Sequence, residues 1–299
     1  MNAFSNNMTG ILEKYSDRSL WYRAAEKYLL RKRYYKDGNQ NPRGVNVMES
    51  DWDTLIVLDA CRYDSFNKYK PDYWPSALPV RSRAANTSTF YLRNFDGDHS
   101  DTVVVTANPR TTQLRGGAFH DIIPVFEDDW DEDRGTVMPD VMAERTIEAH
   151  EMYPDKRILA HWIQPHYPFV GTSSFETHAF DDDAVFLKIQ RGNVDPDEAR
   201  HAYEECLQTT LPYVEDVVEA VSGKIVVSAD HGNAFGESPP GWPLPVYGHP
   251  QGVLMNELVT VPWMEVVNGE RRTITSGQRT RTEASTDVEE RLQDLGYRT

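Results

Sequence analysis

Cysteine is nearly absent. Cys61 and Cys206 are the only two in 299 residues, too few for a disulfide scaffold or a Cys-rich zinc module. No apolar run approaches the roughly 18 residues of a membrane-spanning helix. The first thirty residues hold no apolar core of a secretory signal, so the expected location is cytoplasmic. Lysine is also scarce, with nine against 22 arginines. Basic residues are outnumbered 47 to 31, a net charge of -16, and nucleic acid is not an expected partner. An acidic, lysine-poor surface suits a salt-adapted protein, because its self-repulsion is screened in concentrated salt. Internal repeats and low-complexity tracts are missing too. What remains is 39% hydrophobic and 11% aromatic, enough to fold without staples at this length.

The charge is unevenly spread. Residues 1–43 hold nine basic and four acidic side chains, so residues 1–45 read as a basic helical extension and 46–299 as the main domain. Trp21, Ala25, Tyr28 and Leu29 fall on one helical stripe, with Arg23, Lys27 and Arg31 nearby. Such a helix can touch an anionic membrane peripherally or pack on the acidic body. From residue 53 short apolar runs alternate with helical patterns. Strands are expected at 54–58, 102–106, 157–163 and 224–228, and within 258–267. Helices are expected from Pro139, from Asp195 with a kink at Pro212, and from Asp287 to Leu295. The acidic run 127–133 reads as solvated surface. The fold class is α/β, a mostly parallel central sheet with helices on both faces.

In such sheets ligands bind beyond the carboxyl ends of the strands. Those ends are chemically loaded here: Asp59, Asn108, the His161–His166 stretch, Asp230-His231-Gly232, and His249 in a later Gly- and Pro-rich loop. A lone aspartate there is often a helix cap and a lone histidine often structural; convergence gives the pattern its weight. Two carboxylates with imidazoles make a divalent cation site. His231 and His249 favour zinc or manganese, whereas oxygen ligands alone would suit calcium or magnesium.

The runs DTLIVLDACRYDSF, HWIQPHYPF, SADHGNAFGE, and YGHP with ELVTVPW resemble the alkaline phosphatase superfamily, sulfatase-like branch, over roughly residues 50–270. The resemblance implies an α/β sandwich whose metal activates a hydroxyl or formylglycine nucleophile toward phosphate or sulfate esters. It implies Asp59, Asp230 and His231 as metal ligands. It makes His249 a ligand of a second metal or a substrate contact, and sets His166 beside the leaving group. It also implies a nucleophile opening a helix downstream of Asp59, where Thr87 is the first choice and Ser88 the second. Asn108 matches an oxyanion donor of related phosphodiesterases.

Two departures narrow the reading. Neither Cys61 (CRYDS) nor Cys206 (CLQTT) begins the Cys-x-Pro-x-Arg signature of formylglycine sulfatases, so Cys61 reads as packing. Gln164 stands where acidic residues are common, which favours one tight metal. The expected activity is a metal-dependent hydrolase or transferase of phosphate esters, less so of sulfate esters. The expected substrate is a small-molecule or glycan- or lipid-linked anionic ester. A phosphomutase and a non-catalytic anion or glycan binder of the same fold are the competing readings.

Overall fold

Thr54–Leu58 (TLIVL) is buried at all five positions and forms strand β1 in the computed structural model. The structure describes residue 41 and residues 43–113, 118–172, 185–277 and 291. Both the expected N-terminal helix and, apart from Arg291, the expected final helix lie outside the described residues. After β1 come α1 (Tyr63–Tyr69), β2 (Leu78–Arg81), α2 (Thr87–Asn94), β3 (His99–Thr106) and a 3₁₀ turn (Pro109–Gln113). Then follow β4 (Phe119–Pro124), the one-turn α3 (Val125–Asp128), α4 (Pro139–Met152), β5 (Arg157–Trp162) and α5 (Val185–Gln190). The chain continues through α6 (Pro196–Ala220), β6 (Gly223–Ala229), the short hairpin of β7 (Ala234–Phe235) and β8 (Tyr247–Gly248), one-turn α7 (Asn256–Val259) and β9 (Thr260–Asn268).

Seven strands form the main sheet in the order β2-β9-β6-β1-β5-β3-β4. The run from β6 through β4 is parallel, while β9 is antiparallel to both β6 and β2. The sheet is thus mostly parallel, as the alternating pattern implies. It is wider by two strands than the sequence pattern suggests, and Leu258–Val259 belong to α7 rather than to the last strand.

Strand parity sorts the core into two layers. Ile56, Leu58, Ile158, Ala160, Ile225 and Val227 face a cluster containing Met142 of α4 and Leu207, Leu211 and Val214 of α6. Leu55, Val57, Val104, Leu159 and Val226 face the other way, against Phe90 and Tyr91 of α2 and Trp52. Helix α4 opens with Pro139 at its first turn. Asp195 caps α6 by accepting from the Asp197 N–H, and the helix runs through Pro212. The expected stripe of α6, Ala199 to Val218, is buried. Among the described residues no helix is long and apolar enough to cross a membrane.

In the acidic run, Asp129 pairs with Arg145 of α4 at 2.9 Å, and Asp128, Glu132 and Asp133 are exposed.

Candidate active site

Register brings the chemistry to one face. Val57 lies level with His161 and with Ser228 across the parallel strands, and Thr106 lies level with His161. Residues two apart on a strand share a face. Asp59, Asp230 and Asn108 therefore emerge on the side of His161, the side covered by α2.

The backbone that aims them is specialised. Ala60 has φ 59°, the one positive value at a non-glycine among the described residues, a conformation that costs on the order of 1–2 kcal/mol. That turn lets the Ala60 N–H donate to Asp230 Oδ1 at 3.0 Å. Tyr203 of α6 clamps it, donating to the Ala60 carbonyl at 2.9 Å and accepting from the Arg62 N–H at 2.8 Å. Gly232 packs so closely that a Cβ there would stand 2.1 Å from the Glu257 carbonyl oxygen; a side chain would push Asp230-His231 off the sheet edge. Glu237 accepts from the Phe235 N–H at 2.6 Å and from Arg62 Nη1 at 2.5 Å, latching this loop to α1's entry.

Asp59, Asp230, His161 and His231 are all fully buried. Asp59 Oδ2 accepts from Asn108 Nδ2 at 2.7 Å, and Asp230 Oδ1 also accepts from the His231 N–H at 2.8 Å. The other oxygens, Asp59 Oδ1 and Asp230 Oδ2, have no hydrogen-bond partner, and neither has His161 Nε2. One ligand atom from each of these three residues lies within 4.8 Å of the other two. His231 Nδ1 donates to the Gly232 carbonyl at 2.8 Å, which leaves the Nε2 lone pair facing Asp230 Oδ2 at 3.3 Å and Asp59 Oδ1 at 3.5 Å. Burial and the neighbouring Asp230 charge push the Asp59 carboxyl well above the usual range, against the Asn108 hydrogen bond. Burial lowers His161 to about 4. Orphaned buried oxygens and ring nitrogens offering lone pairs fit a divalent cation: it satisfies them all at once and relieves the repulsion.

Thr87 is the first residue of α2, whose cap Asn86 accepts from the Thr89 N–H. Its buried hydroxyl lies 3.4 Å from Asp59 Oδ2 and 3.3 Å from His231 Nε2. Ser88 turns elsewhere and accepts from Arg110 Nη1 at 2.7 Å. The positive charge of Arg110 acts on Asp59, His166 and His249 alike. Asn108 Oδ1 accepts from the Arg110 N–H at 2.9 Å, so one amide side chain ties that turn to Asp59.

His166 and His249 form a separate pair. His166 Nδ1 donates to the Tyr167 carbonyl at 2.6 Å, so its Nε2 accepts from His249 Nε2 at 3.0 Å. The His249 ring lies against His231, tilted by 37° with centroids 4.5 Å apart. Burial lowers His166 to about 4. Burial, followed by the His231 and His166 charges, takes His249 well below its ordinary value. His249, read as a ligand of a second metal or a substrate contact, hydrogen-bonds His166 and packs against His231. Gln164 donates to the Val137 carbonyl at 2.9 Å and fixes a loop. Cys61 is buried in the larger core cluster, and burial raises its thiol well above the ordinary value.

Sequence reasoning placed His161 only within the loaded His161–His166 stretch, with no role of its own, and gave Arg110 no part in this site. His161 could be placed only through the β1–β5 register. The Arg110 signal was its position two residues after Asn108.

No protein-family model matches this sequence, and no curated protein sequence matches it. Solved structures do match. The integral membrane lipooligosaccharide phosphoethanolamine transferase A of Neisseria meningitidis aligns at TM-score 0.51 and 13% identity, over 88% of this chain and 58% of its own. The soluble domain of the same transferase aligns at 0.48 and 12%, over 71% of this chain and 75% of its own. The periplasmic domain of Escherichia coli EptC, in complex with zinc, aligns at 0.49 and 11%, over 75% of each chain. The fold rests on the first of these. The α/β sandwich implied by the resemblance to the alkaline phosphatase superfamily is the fold this chain has.

Proposed function

We propose that this chain is a metal-dependent enzyme that moves or hydrolyses phosphate esters with Thr87 as its nucleophile. The observation that carries this reading is the position of the Thr87 hydroxyl. It opens a helix and lies within 3.4 Å of both Asp59 and His231, beside three buried ligand atoms without partners.

Asp59, Asp230, His231, His161 and the Thr87 hydroxyl would hold the metal, with zinc or manganese favoured by the two imidazoles. When bound, such an ion holds an ester oxygen and makes the threonine hydroxyl easier to deprotonate. Thr87 Oγ1 attacks phosphorus, the bond to the leaving oxygen breaks, and a phosphothreonine forms that water or an acceptor alcohol resolves. The positive end of the α2 dipole and the Arg110 guanidinium favour the developing anionic charge. Asn108 holds Asp59 with one amide hydrogen and keeps a second for a substrate oxygen. The proton released by Thr87 can reach the leaving oxygen by way of the neutral His166–His249 pair, which takes up one proton before it gives one.

Phosphate is favoured over sulfate because neither buried cysteine lies in a formylglycine signature. A glycan- or lipid-linked substrate is supported by the transferase named above, which acts on lipooligosaccharide. The basic residues within 1–43 suit peripheral contact with an anionic surface.

A panel of nitrophenyl phosphomonoesters, phosphodiesters and sulfates tests the reading. Thr87→Ala is expected to lose at least about a thousandfold in kcat, about 4 kcal/mol of barrier, while Ser88→Ala stays within about tenfold. Preferred sulfate cleavage, or loss in Ser88→Ala with Thr87→Ala active, contradicts it.

A further inference from the structure

Helix α2 brings two hydroxyls to the site. Thr87 and Tyr91 are one helical turn apart and share a face. The Thr87 hydroxyl meets Asp59 and His231, while the Tyr91 hydroxyl reaches past them to His161 Nδ1 at 2.6 Å. Both tyrosine and histidine are buried, and their rings meet edge-on with centroids 5.4 Å apart. On the far side of that imidazole, Nε2 faces Asp59 Oδ2 and Asp230 Oδ2, each at 3.9 Å.

An imidazole has two nitrogens and, when neutral, one proton. The partner of one nitrogen decides what the other can do. His161 can offer Nε2 to a cation only while Nδ1 carries the proton and something accepts it. The Tyr91 oxygen lies at hydrogen-bond distance to accept. Phe90 and Phe95 fill the surrounding layer, so ring packing alone would hold the imidazole in place and leave its tautomer open.

We propose that Tyr91 is a positioning residue: its hydroxyl accepts the His161 Nδ1 proton and turns the Nε2 lone pair onto the metal, so that one helix sets both nucleophile and metal ligand. The inference rests on the metal-dependent reading above.

The test is metal affinity by chelator competition, with cobalt(II) absorption as a second readout, on the full chain. Tyr91→Phe keeps the ring and removes the hydroxyl. It is expected to weaken cobalt and zinc binding by about tenfold to a hundredfold, the usual loss when the hydrogen-bond partner of a ligating histidine is removed, and to change the cobalt spectrum. In a His161→Ala background the same substitution is expected to cost nothing further, because Tyr91 acts through His161. Unchanged affinity in Tyr91→Phe, or an undiminished loss in the His161→Ala background, overturns the inference alone. A wild-type chain that takes up no metal overturns the metal-dependent reading and this inference with it. Histidine side-chain nitrogen NMR on the zinc-loaded wild type needs no variant: an Nδ1–H tautomer at His161 supports the inference, and an Nε2–H tautomer overturns it.

Discussion

The two ends of β1 carry buried aspartates, and they are treated in opposite ways. Asp53, just before the strand, accepts from the Lys224 N–H at 2.7 Å and from Arg271 Nε at 2.5 Å and Nη2 at 3.2 Å. Gly223 leaves it room, since a Cβ there would stand 2.4 Å from Asp53 Oδ2. Arg271 also reaches Asp51, and Arg157 lies over the Trp52 ring at 4.3 Å. The segment after β9 continues across this end, with Arg272 on the Pro154 carbonyl at 3.3 Å and the Thr275 N–H on the Asp155 carbonyl at 2.9 Å. Asp59, just after the strand, keeps one oxygen without a partner and faces a second buried carboxylate. At one end the chain supplies its own cation; at the other, on the proposed reading, it leaves the charge for a cation from outside. The difference separates a structural carboxylate from a functional one better than burial does.

The same substitution at the two ends should therefore act with opposite sign. Asp53→Asn, measured with chelator present, is expected to cost about 2–4 kcal/mol, because a carboxamide faces the Lys224 N–H and the guanidinium with a donor. That corresponds to a melting temperature lower by about 5–10 °C. Asp59→Asn under the same conditions is expected to raise the melting temperature by a few degrees, by ending the repulsion with Asp230. Thermal unfolding with equal losses at both positions would break the comparison.

The smaller effect is the pH dependence of that gain. In the metal-free protein the folded Asp59 carboxyl has a raised pKa. The folded state then holds more protons than the unfolded one, and stability from this group falls as pH rises above the usual carboxylate range of about 4. His161 and His166, lowered to about 4, act oppositely: the unfolded state binds their protons more readily, so stability rises between about pH 4 and 6.5. Asp59→Asn removes only the falling contribution. Its advantage over wild type should widen as pH rises from about 4 and then level off; an advantage that shrinks with rising pH would show that Asp59 is not the strained group.

Much of this was legible in the sequence, for reasons that also explain what was not. Residues 55–58 and 225–227 are buried on both faces and continuously apolar, so these runs stand out. Strand β2 (LPVR) and strand β4 (FHDIIP) lie at the two edges of the sheet and are partly exposed; edge strands carry weak apolar patterns. That β9 runs antiparallel cannot be read from a string of apolar residues. Asp59, Asp230 and His231 announce themselves as polar residues directly after apolar strands, and Thr87 as a hydroxyl at a helix start. His161 hides inside a strand, and its membership depends on register with Val57. Arg110 and Tyr91 act through contacts across 22 and 70 residues of chain, distances over which sequence spacing says nothing.

The central claim, that the carboxyl end of β1 is built for a cation the chain does not supply, is tested most directly by the metal content of the purified protein. Elemental analysis of wild type and Asp230→Asn, each incubated with zinc and manganese and freed of excess, is the measurement. The account predicts about one tightly held divalent ion per wild-type chain and near none in Asp230→Asn, with both proteins folded. Equal metal in the two would contradict it.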